Sequence, residues 1–247
     1  MLKLLKNCDP LGGVCGNSVA SGFSLRACGN MSLSYGDTSQ ALENRKSFLS
    51  SLNINYQDLV CAKQAHGSNV KYVNEADRGK GSLSYDTAIA DTDGLITDIR
   101  NLPLAIFTAD CLSVFLYDPA RPAVGLIHAG WRSSKEKIVS RALELMASQF
   151  KTDPQELFAG FGPAIRDCCY EVSAGFEDKF TTGLTTREGR LYLNLAQANK
   201  DQLLSSGVKK ENMFDTNLCT ACQAEELFSF RKEGASSARM LSVIMLK

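Results

Sequence analysis

The sequence predicts an α+β chain folded as one domain over residues 1–247, with mixed strands and helices rather than strict βαβ alternation. Three observations point there. A hydrophobic fraction of 44% can supply a sizeable core. No repeat, low-complexity tract or Pro/Gly/Ser-rich linker divides the chain. Short apolar runs of strand length are followed by segments with a 3.6-residue apolar period, without a regular order between the two.

Taken in order, Thr38 or Ser39 caps a helix whose apolar side is Leu42, the stem of Arg45, Phe48, Leu49 and Leu52. Asp58 to Ala62 reads as a strand that delivers Gln64 and His66, and Asn69 to Val73 reads as a second. Ser82 to Ala90 has no period and reads as a loop, and Leu95 to Thr97 is a short strand. Leu102 to Phe107 and Leu112 to Tyr117 are apolar runs on either side of Asp110-Cys111. After the turn at Asp118-Pro119, Ala123 to Ile127 is a buried strand ending at His128. Ser133 or Ser134 caps a helix with Ile138, Val139, Ala142, Leu145, Met146 and Phe150 on one side. Leu157 to Phe161 is a strand, and Asn194 begins a helix through Leu195, Ala198, Leu203 and Leu204, closed by Gly207. Met240 to Leu246 is the last strand.

Composition excludes several classes. Lys+Arg and Asp+Glu are balanced at 27 each, and no basic run occurs, which argues against nucleic acid and for small-molecule partners. No apolar stretch approaches membrane-spanning length. Nine cysteines, an odd number, and an opening Met1–Lys6 too short and lysine-broken for a secretory leader fit a reducing cytoplasm. Neither a dinucleotide fingerprint nor a P-loop is present.

The chain contains two histidines, and both lie in glycine-bearing motifs: Gln64-Ala65-His66-Gly67 and His128-Ala129-Gly130-Trp131-Arg132. With Cys111 they make three good Zn²⁺ ligands, leaving a fourth position open as catalytic zinc sites do. Asp110, beside the thiolate, is a candidate proton carrier or a partner holding a histidine ring. The same residues admit a cysteine nucleophile with a histidine base and Asp110 as orienting acid, and spacing alone does not separate the two. Cys219-Thr220-Ala221-Cys222 has metal or redox spacing, but Cys168-Cys169, being adjacent, looks awkward as the second ligand pair, so both groups read as structural. Arg45, Arg231 and Arg239 are candidate anion clamps, and Trp131 reads as a packing residue.

Asn44-Arg45, Gln64-Ala65-His66-Gly67, Asp93-Gly94-Leu95-Ile96-Thr97, Thr108-Ala109-Asp110-Cys111, His128-Ala129-Gly130-Trp131-Arg132, Gly162-Pro163-Ala164-Ile165, Tyr170-Glu171-Val172, Cys219-Thr220 and Phe228-Ser229-Phe230-Arg231 occur together in this order. In that combination, from about Gly12 to the C-terminus, the chain resembles the YfiH-like family, also called the laccase-domain or multicopper polyphenol oxidase family. The resemblance implies a single-domain α/β/β/α-type sandwich with mixed sheets, and a zinc site at His66, Cys111 and His128, with copper as the alternative metal. It implies phosphorolysis of adenosine, inosine and methylthioadenosine to free base and ribose 1-phosphate, with deamination of adenosine as a side activity. The substrate and phosphate contacts it suggests are Arg45 with Ser32, joined by Gln64 and Arg231. The catalytic residues it suggests are Cys111, Asp110 and His66. Two other activities remain open: a cysteine or zinc hydrolase or amidase acting on peptidoglycan precursors, and a copper-dependent phenol oxidase, which two histidines support poorly. Ser133 and Ala238 stand where the family pattern has glycine, and Cys15 where it has serine.

Overall fold

The structure, a computed structural model, describes residues 9–247; the Met1–Lys6 opening considered above lies outside them. The first strands are β1 (Val19–Phe23), β2 (Val60–Cys61), β3 (Val70–Tyr72), β4 (Gly94–Thr97), β5 (Leu104–Thr108), β6 (Leu112–Asp118) and β7 (Ala123–Ala129). They continue as β8 (Phe158–Phe161), β9 (Glu171–Val172), β10 (Leu184–Arg187), β11 (Arg190–Leu193), β12 (Met213–Asp215) and β13 (Met240–Leu246). The helices are α1 (Thr38–Ser50), α2 (Trp131–Lys135), α3 (Ile138–Phe150), α4 (Leu195–Ser205) and α5 (Phe230–Glu233). Among the described residues no helix is long and apolar enough to cross a membrane.

Two large sheets carry the fold. One has the order β1-β13-β5-β2, antiparallel except for the parallel β5/β2 pair. The other has the order β12-β8-β6-β7-β4-β3, antiparallel at its centre and parallel at both edges. Side chains alternate between faces along each strand. Ile244 and Leu246 of β13 therefore meet Phe115, Tyr117, Val124 and Leu126 of the second sheet in a core between the sheets. Leu241 and Val243, on the other face of β13, pack with Leu49 of α1. Leu112, Val114 and Leu116 turn the opposite way, toward Val139 and Met146 of α3 and Ala198 of α4. The layers are thus helix, sheet, sheet, helix, the sandwich expected. Strands buried on both faces read as near-continuous apolar runs, which is why β6 and β13 were legible.

Four details differ from expectation. The cap of α1 is Asp37, whose side chain accepts from the N–H groups of Ser39 and Gln40; three capping residues stand in a row and the first takes the role. The buried stripe of α1 is Ala41, Arg45 and Leu49, with Leu42, Phe48 and Leu52 at its margins. The helix expected from Ser133 is two helices: α2 begins at Trp131 after Gly130, and Lys137, at φ 58°, breaks the chain before α3. A small antiparallel sheet, β10-β11-β9, was not anticipated; its strands are half exposed and carry polar residues on both faces.

Candidate active site

His128 lies near the end of β7, on the face shared by Val124 and Leu126, paired opposite Ser113 of β6. Cys111 sits in the turn that enters β6. His66 lies in the loop after β2, in a left-handed conformation with φ 59°. These three bring their ligand atoms within 4.8 Å of one another, and the two imidazoles meet edge to face with ring centroids 4.9 Å apart. The set grades from exposed His66 through half-buried Cys111 to buried His128, so it opens to one side. Its chemistry fits a borderline-soft divalent ion with an open position. A Cβ placed on Gly130 would stand 3.2 Å from the Cys111 sulfur and 3.4 Å from His66 Cδ2, so glycine keeps this space clear.

The carboxylate that organises the set is Asp93, at the start of β4. Its Oδ1 lies 2.7 Å from His128 Nδ1, and its backbone carbonyl accepts the His128 N–H at 2.7 Å. Its two oxygens also accept the N–H groups of Ala65, His66 and Gly67 at 3.1, 3.0 and 2.8 Å. One buried acid therefore orients both histidines, one by its ring and one by its loop. Pairing Nδ1 leaves Nε2 of His128 as the ligand atom. Burial alone would push Asp93 up, but the His128 imidazole and the loop N–H groups hold it below the usual carboxylate value. Burial likewise opposes the Cys111 thiolate, yet the flanking His128 and His66 outweigh it and bring the thiol down to about 6. His128, resisted by burial and favoured by Cys111 and Asp93, rises to about 9.

The assignment of Asp110 as partner of a histidine is corrected by this geometry. Asp110 stands at φ 88°, accepts the Thr220 hydroxyl at 2.5 Å on Oδ1 and accepts the Arg231 N–H at 2.6 Å on Oδ2. It ties the β5–β6 turn to the segments bearing Thr220 and α5. Asp93 was missed as the histidine partner, although its motif was in view; the β4/β7 register that pairs it with His128 is a tertiary fact.

The set lies in a cavity of about 570 Å³, within the range of small-ligand sites. Ser32, Arg45, Gln64, Asp110 and Arg231 all line it. Their hydrogen bonds divide their roles. Arg45, 1% exposed, donates from Nε to Met31 O and from Nη1 to Gly81 O and Ser82 O, and its guanidinium lies 4.7 Å from the Phe107 ring centroid. Its Nη2 donates to none of these carbonyls. The Ser32 hydroxyl meets that of Ser34 at 2.8 Å. Gln64 is held differently from a substrate contact: its carboxamide donates to Phe107 O at 2.8 Å and accepts Phe107 N–H at 2.7 Å, extending β5 like a strand partner. Arg231 donates to the carbonyls of Cys169 and Glu171. Tyr35 and Tyr85, which the sequence did not single out, also line the cavity, as do Tyr170 and Phe230, which lie in motifs noted above without a role; Trp131, read as a packing residue, packs on Phe176 and lines it as well.

Cys168, Cys169, Cys219 and Cys222 form a second convergence of ligand atoms within 4.8 Å, so the adjacent pair that looked awkward as joint ligands does meet the Cys219/Cys222 pair.

The family described as multi-copper polyphenol oxidoreductase laccase matches residues 17–247, and the chain belongs to that family. Purine nucleoside phosphorylase YlmD of Geobacillus stearothermophilus is 32% identical over 225 residues, covering 87% of this chain and 82% of that one. Adenosine deaminase RL5, from an unknown prokaryotic organism, is 27% identical over 220 residues, covering 85% and 84%. Among solved structures, hypothetical protein YfiH of Bacillus licheniformis superposes with a TM-score of 0.89 at 33% identity, covering 93% of each chain.

Proposed function

We propose that this protein is a zinc-dependent purine nucleoside phosphorylase, converting adenosine, inosine or methylthioadenosine and phosphate to free base and ribose 1-phosphate, with deamination of adenosine as a side activity. The observation that carries the reading is the open His66, Cys111 and His128 set in a cavity lined by aromatic rings and arginines, in a chain whose relatives bear those two activities in their names. Zinc in this set would supply Lewis-acid help to the purine.

The residues divide the remaining work. Tyr35, Tyr85 and Phe230 offer faces on which a purine stacks. Arg45 and Ser32, which line the cavity, hold phosphate, Arg45 Nη2 standing outside the three carbonyl bonds. A phosphate oxygen bonds to C1′ as the glycosidic bond breaks; the electron pair leaves with the purine, which gains a proton. Asp93 fixes the His128 ring so that the ligand set is pre-formed. Asp110 acts as a positioning residue through Thr220 and Arg231 rather than by touching substrate. The protein is read as cytoplasmic and as acting on small molecules.

One observation favours a second reading. Cys111, His128 and Asp93 also form a nucleophile, base and orienting-acid series, and the Cys111 thiol is brought down to about 6. That arrangement would suit a cysteine hydrolase or amidase. Chelation separates the two: the zinc reading expects adenosine turnover to vanish on metal removal and return with added zinc. Turnover that survives chelation and is lost to a thiol alkylator would transfer the assignment to the hydrolase.

A further inference from the structure

We propose that Cys168, Cys169, Cys219 and Cys222 form a second metal centre, a tetrathiolate site for a thiophilic divalent ion of the zinc class, which locks together the two segments forming one wall of the pocket.

The backbone brings the four thiols together. Ala164 and Cys219 form a parallel bridge, with Ala164 N–H donating to Leu218 O and Thr220 N–H to Ala164 O, so segments 164–172 and 218–227 run side by side. A turn then forms in which Cys169 N–H and Tyr170 N–H both donate to Arg166 O. Within that turn the adjacent cysteines both reach the second segment: the sulfurs of Cys168 and Cys169 lie 3.5 and 3.4 Å from that of Cys222. All four sulfurs fall within 4.8 Å of one another. Four thiolates about 2.3 Å from a tetrahedral ion stand about 3.8 Å apart; the two separations at Cys222 are a few tenths of an ångström shorter, and no pair among the four exceeds 4.8 Å. Cys219 and Cys222 have the close spacing of a zinc knuckle, and Cys219 is the buried member of the four.

A disulfide accounts for less of this geometry. One bond would use two of the four sulfurs, whereas two partners converge on Cys222 and the fourth thiol closes the group. A single ion explains all four positions.

The site is built from other residues than the His66, Cys111 and His128 set, but its segments feed the pocket. Thr220 follows Cys219 and donates to Asp110, and Tyr170 follows Cys169 and lines the cavity. Arg231 donates to the carbonyls of Cys169 and Glu171. An ion here would hold that wall in register without touching substrate.

The test is metal content of the full-length protein purified under reducing, zinc-replete conditions. The expected result is about two zinc ions per chain, falling to about one in Cys111→Ser and to about one in Cys222→Ser. Zinc X-ray absorption of Cys111→Ser should show a sulfur-only shell near about 2.3 Å. A wild-type content of about one zinc that Cys222→Ser retains in full would overturn the proposal. So would an unreduced chain lighter by two hydrogens, with a peptide linking Cys222 to Cys168 or Cys169, which would make the cluster a redox pair. A measurement without any variant guards against misfolding. Cobalt titrated into chelator-stripped wild-type protein should fill two classes of site, one with the strong charge-transfer absorption of several thiolates; a single class with one-thiolate absorption would contradict the proposal.

Discussion

Asp93 and His128 are joined twice, through carboxylate Oδ1 and imidazole Nδ1 at 2.7 Å and through the Asp93 backbone carbonyl and the His128 backbone N–H at 2.7 Å. The β4/β7 pairing that aligns Gly94 with Ile127 makes both contacts at once. The pair sits at the root of the ligand set, so its removal should be felt there first. Asp93→Asn should lower metal affinity and kcat/KM by about 10- to 100-fold while the chain still folds. Competitive titration with a zinc indicator reads the first and steady-state kinetics the second; unchanged affinity would show that the His128 ring is held by other means.

Gly130→Ala tests the space beside the set. Gly130 lies at φ −79° and ψ 175°, open to any residue, so the effect comes from the added Cβ against Cys111 and His66. We expect metal affinity to fall by about 1–3 kcal/mol, roughly five- to 150-fold, with little change in thermal stability. Isothermal titration of the metal-free variant measures it.

Asp110 and Thr220 should behave as one unit. Asp110→Asn and Thr220→Val are each expected to lower kcat/KM about tenfold with metal content unchanged, and the double variant to be scarcely worse than either. If Asp110 were instead a proton carrier acting on substrate, Thr220→Val would be nearly silent.

Arg45→Lys keeps a cation but loses the planar fork that serves three carbonyls. The KM for phosphate should rise more than tenfold while zinc content holds, since the ligand set lies outside its hydrogen bonds. Loss of zinc in this variant would contradict the phosphate assignment.

Asp215 provides the pH prediction. Its carboxylate receives both terminal nitrogens of Arg166, at 2.9 and 2.8 Å, and Lys200 Nζ at 2.7 Å. Burial raises its pKa, but Arg166 and Lys200 outweigh burial and leave it below the ordinary value. A carboxyl depressed in the folded state stabilises above its unfolded pKa of about 3.9, and that stabilisation is lost as pH falls through the lower folded value. Asp215→Asn should cost about 3–5 kcal/mol at neutral pH, because two cations lose their buried partner. Urea unfolding from pH 7 to pH 3 should show the gap between wild type and variant shrinking below about pH 4. A gap that does not depend on pH would rule out this linkage.

What could be read in the sequence follows from how local each signal is. Strand β13 was legible to its ends, Met240 to Leu246, because burial on both faces leaves an unbroken apolar run. The ligand set was legible because the chain has two histidines, and both stand beside glycine-bearing turns. Asp93 and Lys137 were not. The first acts through strand register, and the second is a non-glycine residue in a left-handed conformation that no local pattern announces. The cysteine cluster was visible as composition, but its convergence depends on the Ala164–Cys219 bridge, which joins residues distant in the chain.

The most direct test of the central claim is release of adenine from adenosine by the zinc-loaded protein, followed with and without inorganic phosphate. The account predicts adenine and ribose 1-phosphate only when phosphate is present, with inosine as a slower product in its absence. Adenosine left untouched in both conditions, by protein with its His66, Cys111 and His128 site filled, would contradict it.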